Sequence, residues 1–356
     1  MIKQSISNYF LLFLTLTCFL IPFSWSTTPW LTSLQTTVLL PLCKGIGSLF
    51  GIDYALDDLS SDSVLFTLIF VVTFFISLFI FIGLIFFSKK EDFQYKWMGA
   101  TLLFFLSLVL FKYGLDKVFK HQFFMPEPNT LNTRLGQLDK DILFWSTIGS
   151  SYLYNLVTGL TEIIASLMIL SLKFRRKGLM FSFFIVAHIV LLNFAFDISV
   201  KFFSLFLLTI NGFLLLNFQV ISDFKFSFFK PNRKVYYMNS VLGLFFLFEG
   251  LYPYVSTGNF NDDLAPRPAI HGSYLLEEPK EYYDQICIHR DNYMILMQGG
   301  RVQLTMKMKQ KKLDKEFDLI GPNNEKATLT INSIKRDHFN FIIESNFKVL
   351  SSHSVV

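Results

Sequence analysis

The sequence predicts an all-α polytopic membrane helix bundle of about seven spans, followed by a small extracytoplasmic antiparallel β domain. Three observations carry that class. Of 356 residues, 52% are hydrophobic and 17% aromatic, with 44 phenylalanines, more apolar than the ~45–50% of a soluble domain. Apolar runs of membrane length recur as far as residue 255, separated by short clusters of Lys and Arg, as membrane topology requires. From about residue 260 the pattern changes to alternation of apolar and polar residues, which marks β-strands. The net charge of +5 is spread over inter-span clusters, so it reads as topology and not as a nucleic-acid footprint. The expected medium is the lipid bilayer. Cys18, Cys43 and Cys287 form no CxxC or Cys/His cluster, so no metal site is expected. Spacing leaves open whether Cys43 and Cys287 pair.

Residues 1–96 read as a two-span region. The first apolar run, 9–26, follows Lys3 and ends in small residues; that pattern describes a retained span and, as the alternative, a cleaved secretory signal. Either reading puts residue 30 outside. The segment 27–63 carries Asp53, Asp57, Asp58 and Asp62, with an apolar patch at 37–50 expected to lie in the interface. Residues 64–87 form an uninterrupted apolar run, long enough to cross ~30 Å at 1.5 Å per residue.

Residues 97–222 hold four further spans. Lys89, Lys90 and Lys96 precede the third, which runs from Trp97 to about Leu115. A polar loop, 116–144, contains Pro126, Pro128, Asn129, Asn132 and Gly136, all turn formers. The fourth span, 145–172, ends at Lys173, Arg175, Arg176 and Lys177, a cytoplasmic marker by the positive-inside rule. The fifth, 178–198, and the sixth, 201–222, are joined so tightly that they form an antiparallel hairpin. Residues 223–259 supply Lys225, Lys230, Arg233 and Lys234 and a last span at 235–255. This count places the N-terminus in the cytoplasm of a bacterial cell and the C-terminal region in the periplasm.

Residues 260–356 are the β domain. Val302, Leu304, Met306 and Met308 point to one face, with Lys307, Lys309, Lys311 and Lys312 on or beside a solvated one. Gly299-Gly300 and Gly321-Pro322-Asn323-Asn324 read as turns, and Ala327, Leu329, Ile331, Phe339, Phe341 and Ile343 as further strands.

Chemistry, if present, is expected among polar residues inside the spans, since a central charge costs ~2.5–3.5 kcal/mol on insertion scales. Tyr152, Asn155, Gly159, Glu162 and Ser166 step by three and four, so they share a stripe of the fourth span that faces protein. On the fifth span Asn193 and Asp197 share a face, whereas His188 lies ~180° from Asp197 at 100° per residue. Glu162 and His188 sit at similar depth, which allows them to pair and leaves Asp197 to Lys201. The plainer readings are an interfacial Asp197–Lys201 ion pair that fixes the hairpin, and a satisfied core histidine at 188. Trp30, Trp97 and Trp145 read as interface anchors.

At these residues a family pattern emerges. Tyr113-Gly114-Leu115-Asp116-Lys117, Gly149 with Tyr152, Gly159-Leu160-Thr161-Glu162, Arg175-Arg176-Lys177-Gly178, and Asn193 with Asp197 and Lys201 together resemble the DoxX-like integral membrane proteins over about residues 97–222. The resemblance implies a four-helix membrane unit, here preceded by two helices and followed by one. It makes Tyr113, Asp116 and Lys117 candidates at the extracytoplasmic loop. The family is named for a subunit of a thiosulfate:quinone oxidoreductase, and its wider group, with DoxD, is thought to include the membrane part of vitamin K dependent carboxylases. Most members have no settled activity, so the resemblance speaks to fold more than to chemistry.

Three functional readings follow. The first is a non-catalytic accessory or scaffold subunit whose β domain binds an envelope protein partner. The second is a quinone- or lipid-binding subunit supporting redox or lipid chemistry. The third is a proton or small-solute transporter, for which inverted repeats and broken helices are not evident.

Overall fold

In the computed structural model the described residues are 2–23, 25–27, 29–51, 62–87, 91–222, 233–277, 279–280, 282–311, 316–322, 326–334 and 339–345. Asp53, Asp57, Asp58, Lys89, Lys90, Lys225, Lys230, Lys312, Asn323 and Asn324 lie outside them. In chain order the helices are α1 (Ile2–Leu20), α2 (Pro29–Leu49), α3 (Val64–Phe87), α4 (Glu91–Val118), α5 (Pro128–Asn132), α6 (Lys140–Gly149), α7 (Tyr152–Leu170), α8 (Arg175–Ala195), α9 (Lys201–Leu216), α10 (Gln219–Ser222) and α11 (Arg233–Thr257). The strands are β1 (Gly272–Leu275), β2 (Gln285–His289), β3 (Tyr293–Gln298), β4 (Arg301–Gln310), β5 (Glu316–Ile320), β6 (Lys326–Ile334) and β7 (Phe339–Ser345). Two compact units result, one of Met1–Gln122 with Tyr152–Asn261, the other of Phe123–Ser151 with Asp262–Val356.

The first unit is helical. Among the described residues five segments are long and apolar enough to cross a membrane: Val64–Ile85, Tyr95–Val118, Tyr152–Leu170, Arg175–Ala195 and Val241–Leu264. Two further segments read as spans from the sequence, Ser5–Leu20 and Lys201–Leu216, are shorter apolar helices, as is Thr37–Leu49. The chain is therefore a multi-pass membrane protein. Its core gathers around α4, where Leu102, Leu103, Leu106, Leu108 and Val109 are fully buried. Of the expected boundaries that move, two have a plain local cause. The first helix stops at Leu20, not 26, because Pro22 brings no backbone N–H and disfavours helical geometry in the residue before it. The expected fourth span is divided after Gly149, where the Ser150 and Ser151 amides turn back to the Ser146 and Ile148 carbonyls.

The second unit holds a seven-stranded antiparallel sheet in the order β1 to β7. Gly299 and Gly300, at φ 55° and 79°, close the β3–β4 hairpin between Gln298 and Arg301, as a two-residue turn with left-handed residues does. Met306 and Met308 enter the core with Leu296, Leu319, Leu329 and Ile331. Val302, expected with them, is 50% exposed. Leu296 pairs with Leu304 but Met297 with Val302, so the extra residue in β4 turns Val302 to the opposite face. Helix α5 packs on β1 and β2.

Candidate functional site

Tyr113, Asp116 and Lys117 do not stand in a loop. Helix α4 runs on to Val118, because the charges at its end are satisfied inside the bundle. Lys117 Nζ donates to Glu162 Oε2 at 2.9 Å, with the two side chains 9% and 4% exposed. Two glycines make this contact possible. A Cβ at Gly159 would lie 2.5 Å from the Gly114 carbonyl oxygen and 3.0 Å from the Lys117 Cβ, and one at Gly114 would lie 2.8 Å from the Gly159 oxygen. Small residues let helix backbones approach closely within a membrane, and the Lys117 stem uses the space. Further along the same antiparallel seam, Ser107 Oγ donates to the Ser166 carbonyl at 2.8 Å and Ser166 Oγ to that of Ser107 at 2.7 Å. Glu162 thus meets a lysine of the third span, and His188, its expected partner, lies on an exposed face of α8.

A second ionic knot also starts from α4. Lys112 Nζ donates to Glu249 Oε1 of α11 at 2.7 Å and to Ser26 Oγ at 2.8 Å; the Lys112 and Glu249 side chains are 12% and 0% exposed. Glu249 also accepts from the Ser26 and Thr27 amides, at 2.5 and 3.0 Å, and from the Thr27 hydroxyl at 2.6 Å. The α1–α2 link is non-helical and reaches the level of residues 112 and 249, inside two spans. Irregular backbone survives at that depth only when protein satisfies its donors, and Glu249 supplies the acceptors. One turn further, Tyr254 Oη donates to Asp116 Oδ1 at 2.6 Å, so α4 and α11 run parallel.

The remaining candidates make other contacts within the bundle. Asn155, Gly159, Glu162 and Ser166 are buried on α7, while Tyr152 is 51% exposed. Asn193 Nδ2 donates to Ser204 Oγ at 3.0 Å. Lys201 pairs with Asp197 at 2.7 Å and with Asp62 at 3.5 Å, and Asp62 accepts the Lys201 and Phe202 amides, which caps the start of α9. Arg175 is buried, donating to the Ile169 and Ile221 carbonyls at 3.2 and 2.8 Å, so it satisfies helix ends that lack their own partners. The Trp30 and Trp97 side chains, read as separate anchors, line one cavity with Trp25.

The second unit has its own polar cluster. Buried Glu127 accepts from the Arg290 amide at 3.1 Å and faces His271 Nε2 at 3.0 Å, Arg290 Nε at 3.3 Å and His289 Nε2 at 3.9 Å. Arg290 also bonds Asp262 and stacks over the Phe124 ring, 3.4 Å from its centroid. Burial pushes the His289 imidazole below its ordinary range, against the opposing pull of Glu127 and Asp291. Burial raises the Cys287 thiol, while the Ser273 hydroxyl beside it works in the other direction. No group of three His, Cys, Asp or Glu able to hold a metal occurs among the described residues.

Sequence reasoning passed over Lys112, Glu249, Glu127 and Arg290. Glu249, flanked by apolar residues within a span, carried the same signal as Glu162. Glu127 carried none, since an acid beside two prolines in a polar loop looks solvated.

Among curated proteins, the uncharacterized protein YwoB of Bacillus subtilis strain 168 is 33% identical over 106 residues, which are 30% of this chain and 67% of that protein. No protein-family model matches the chain. No solved structure matches it.

Proposed function

The chain belongs to the same family as YwoB of Bacillus subtilis, and from that premise we propose that it is a non-catalytic accessory or scaffold protein of the bacterial cytoplasmic membrane. Its N-terminus is cytoplasmic, and its β unit faces outward to meet a protein of the envelope. The carrying observation is that, among the described residues, both buried acids of the spans are spent on architecture. Glu162 ends on Lys117, and Glu249 ends on Lys112 and on the backbone of the α1–α2 link. Each of the two carboxylates is paired with a lysine of one helix, α4. The DoxX-like resemblance agrees with such a role, since it implies a membrane unit more than a reaction.

Orientation rests on Lys173 in the α7–α8 link and on Arg176 and Lys177 in the first turn of α8, a cytoplasmic signature. Because α4 and α11 are parallel, the residues that follow each, which together build the second unit, leave the spans on the opposite side from that cluster. Thr305, Lys307 and Lys309 line an exposed, basic stripe of β4, the face best placed to take an acidic protein surface.

The test is labelling and crosslinking in intact cells. Single cysteines at Lys140 and Lys307 should react with an impermeant thiol reagent, and one at Arg176 should not. A photo-crosslinker at Thr305 should give a discrete protein adduct. Labelling at 176 would reverse the orientation, and the absence of any adduct from the β4 stripe would remove the partner from this reading.

A further inference from the structure

We infer that two copies of this chain pair in the membrane along the exposed face of α8, with their His188 imidazoles hydrogen-bonded to each other beside a two-fold axis. Such pairing needs only the membrane setting and is independent of the proposed partner of the β unit. His188 lies eleven residues from Lys177 and nine from Asp197, roughly 16 and 14 Å along a helix that rises ~1.5 Å per residue, which is the middle of a ~30 Å hydrocarbon core. The residue is exposed and makes no hydrogen bond or ion pair among the described residues. Ionisable side chains within spans almost always turn toward the bundle interior or a polar cavity, and an imidazole facing lipid has neither water nor protein for its nitrogens. Hydroxyls on exposed faces avoid this cost by folding back on their own helix. Thr67 donates to the Ser63 carbonyl at 3.1 Å and Thr209 to the Leu205 carbonyl at 2.8 Å. His188 has no such bond, so its partner comes from another molecule.

The surroundings of His188 identify that molecule as a second copy. Phe181, Phe184, His188, Leu191 and Ala195 are all exposed and recur at alternate spacings of three and four, the seam along which two helices cross at a shallow left-handed angle. A single polar residue in such a seam fixes register and partner number. Copies inserted with the same topology and related by a two-fold axis along the membrane normal place every residue at the depth of its counterpart. His188 therefore meets its own counterpart, and no other polar side chain has to be found at that level. An uncharged imidazole carries one N–H donor and one acceptor nitrogen, so one ring donates to the other and the pair is self-complementary. A lipid headgroup cannot take this role, because headgroups lie ~15 Å away at either interface.

Two differently tagged copies of the full chain are expressed together in cells, with a photo-crosslinking residue at one position. Placed at Phe184 or Leu191, it should give an adduct that carries both tags. Placed at Phe194, exposed but ~120° around the helix from His188 at 100° per residue, or at the exposed Phe79 of α3, it should give at least fivefold less. In vesicles of phosphatidylethanolamine and phosphatidylglycerol, energy transfer between fluorescently labelled copies should report association that His188→Leu weakens at least tenfold. His188→Gln, which keeps a donor and an acceptor, should return it to within threefold of the parent. The crosslinking arm leaves His188 in place, so it decides the matter even if His188→Leu fails to accumulate. Adducts at 184 and 191 that carry one tag and the mass of a different protein would assign this face to that protein and overturn the pairing of copies. Equal adducts at all four positions, or energy transfer unchanged by His188→Leu, would overturn it as well.

Discussion

Lys117 and Glu162, 45 residues apart in sequence, meet at 2.9 Å beside the crossing of Gly114 and Gly159. Their pairing changes how Glu162 is to be tested. Glu162→Gln alone leaves the Lys117 ammonium buried without its counter-charge, so lost function in that variant would not distinguish a chemical role from a broken pair. Removing one member of a buried pair costs ~3–5 kcal/mol, while replacing both with uncharged groups of similar size is close to neutral. We predict that Glu162→Gln and Lys117→Met each lower stability in detergent by an amount in that range, and that the double variant returns to within ~1 kcal/mol of the parent. Thermal unfolding of the four proteins checks this. A double variant as unstable as the worse single would show that the two charges do not act as a pair.

Gly159→Ala should be among the more damaging small substitutions. The new methyl would meet a backbone oxygen at 2.5 Å, which cannot swing away, so α7 must shift from α4; overpacking of this kind costs ~1–3 kcal/mol. Gly83→Ala, where a Cβ meets nothing within 4 Å, should be neutral or slightly stabilising, because alanine favours helix by up to ~1 kcal/mol. Comparison of the two melting curves is decisive. Equal behaviour would mean that the α4–α7 crossing is looser than its geometry implies.

Length and hydropathy made the helical class and several of its membrane-length segments readable in the sequence, and alternation did the same for Met306 and Met308. What periodicity cannot supply is the identity of a distant partner. The stripe Asn155, Gly159, Glu162 and Ser166 follows from helical spacing, but nothing local connects Glu162 to Lys117. Charge logic pointed the wrong way at Asp116 and Lys117, because lysine and aspartate near the end of an apolar run read as a loop when each is considered alone. Paired with Glu162 and Tyr254, they let the helix continue. His188 was matched to Glu162 on depth, a criterion that ignores which way the side chain faces. Val302 was misplaced by one inserted residue, which reverses faces in a strand.

Glu249 is predicted to hold the α1–α2 link within the bundle. It accepts from two backbone amides and one hydroxyl of that link as well as from Lys112, and an alanine there would remove an acceptor from all four donors. We expect Glu249→Ala to expose residues 26 and 27. A cysteine introduced at Ser26 should react slowly with a membrane-permeant thiol reagent in the parent and at least tenfold faster beside Glu249→Ala. Unchanged reactivity would assign the burial of the link to its aromatic contacts, Phe23 with Phe105 and Trp25 with Phe245.

The second unit should lose stability as pH falls below ~6.5, the ordinary histidine value. Burial holds the folded His289 below that value, so the unfolded chain takes up a proton there that the folded chain resists. By linkage the contribution is fully present above ~6.5 and is lost as pH falls toward the folded value, at most ~1.4 kcal/mol for each unit of separation. Glu127 and Asp291 favour the proton, while Arg290 and His271 oppose it together with burial, which keeps the effect moderate. His289→Asn is the informative change, because its side-chain oxygen can replace Nδ1 as acceptor for the Asp291 amide, a 3.1 Å bond, without titrating. Hydrogen exchange of the β2 and β3 amides in the full chain, corrected for intrinsic rates, should show protection falling between pH 7 and ~5.5 in the parent. The slope should be shallower in His289→Asn. If the two slopes coincide, the acid sensitivity of this unit arises elsewhere in the Glu127 cluster and His289 is not its source.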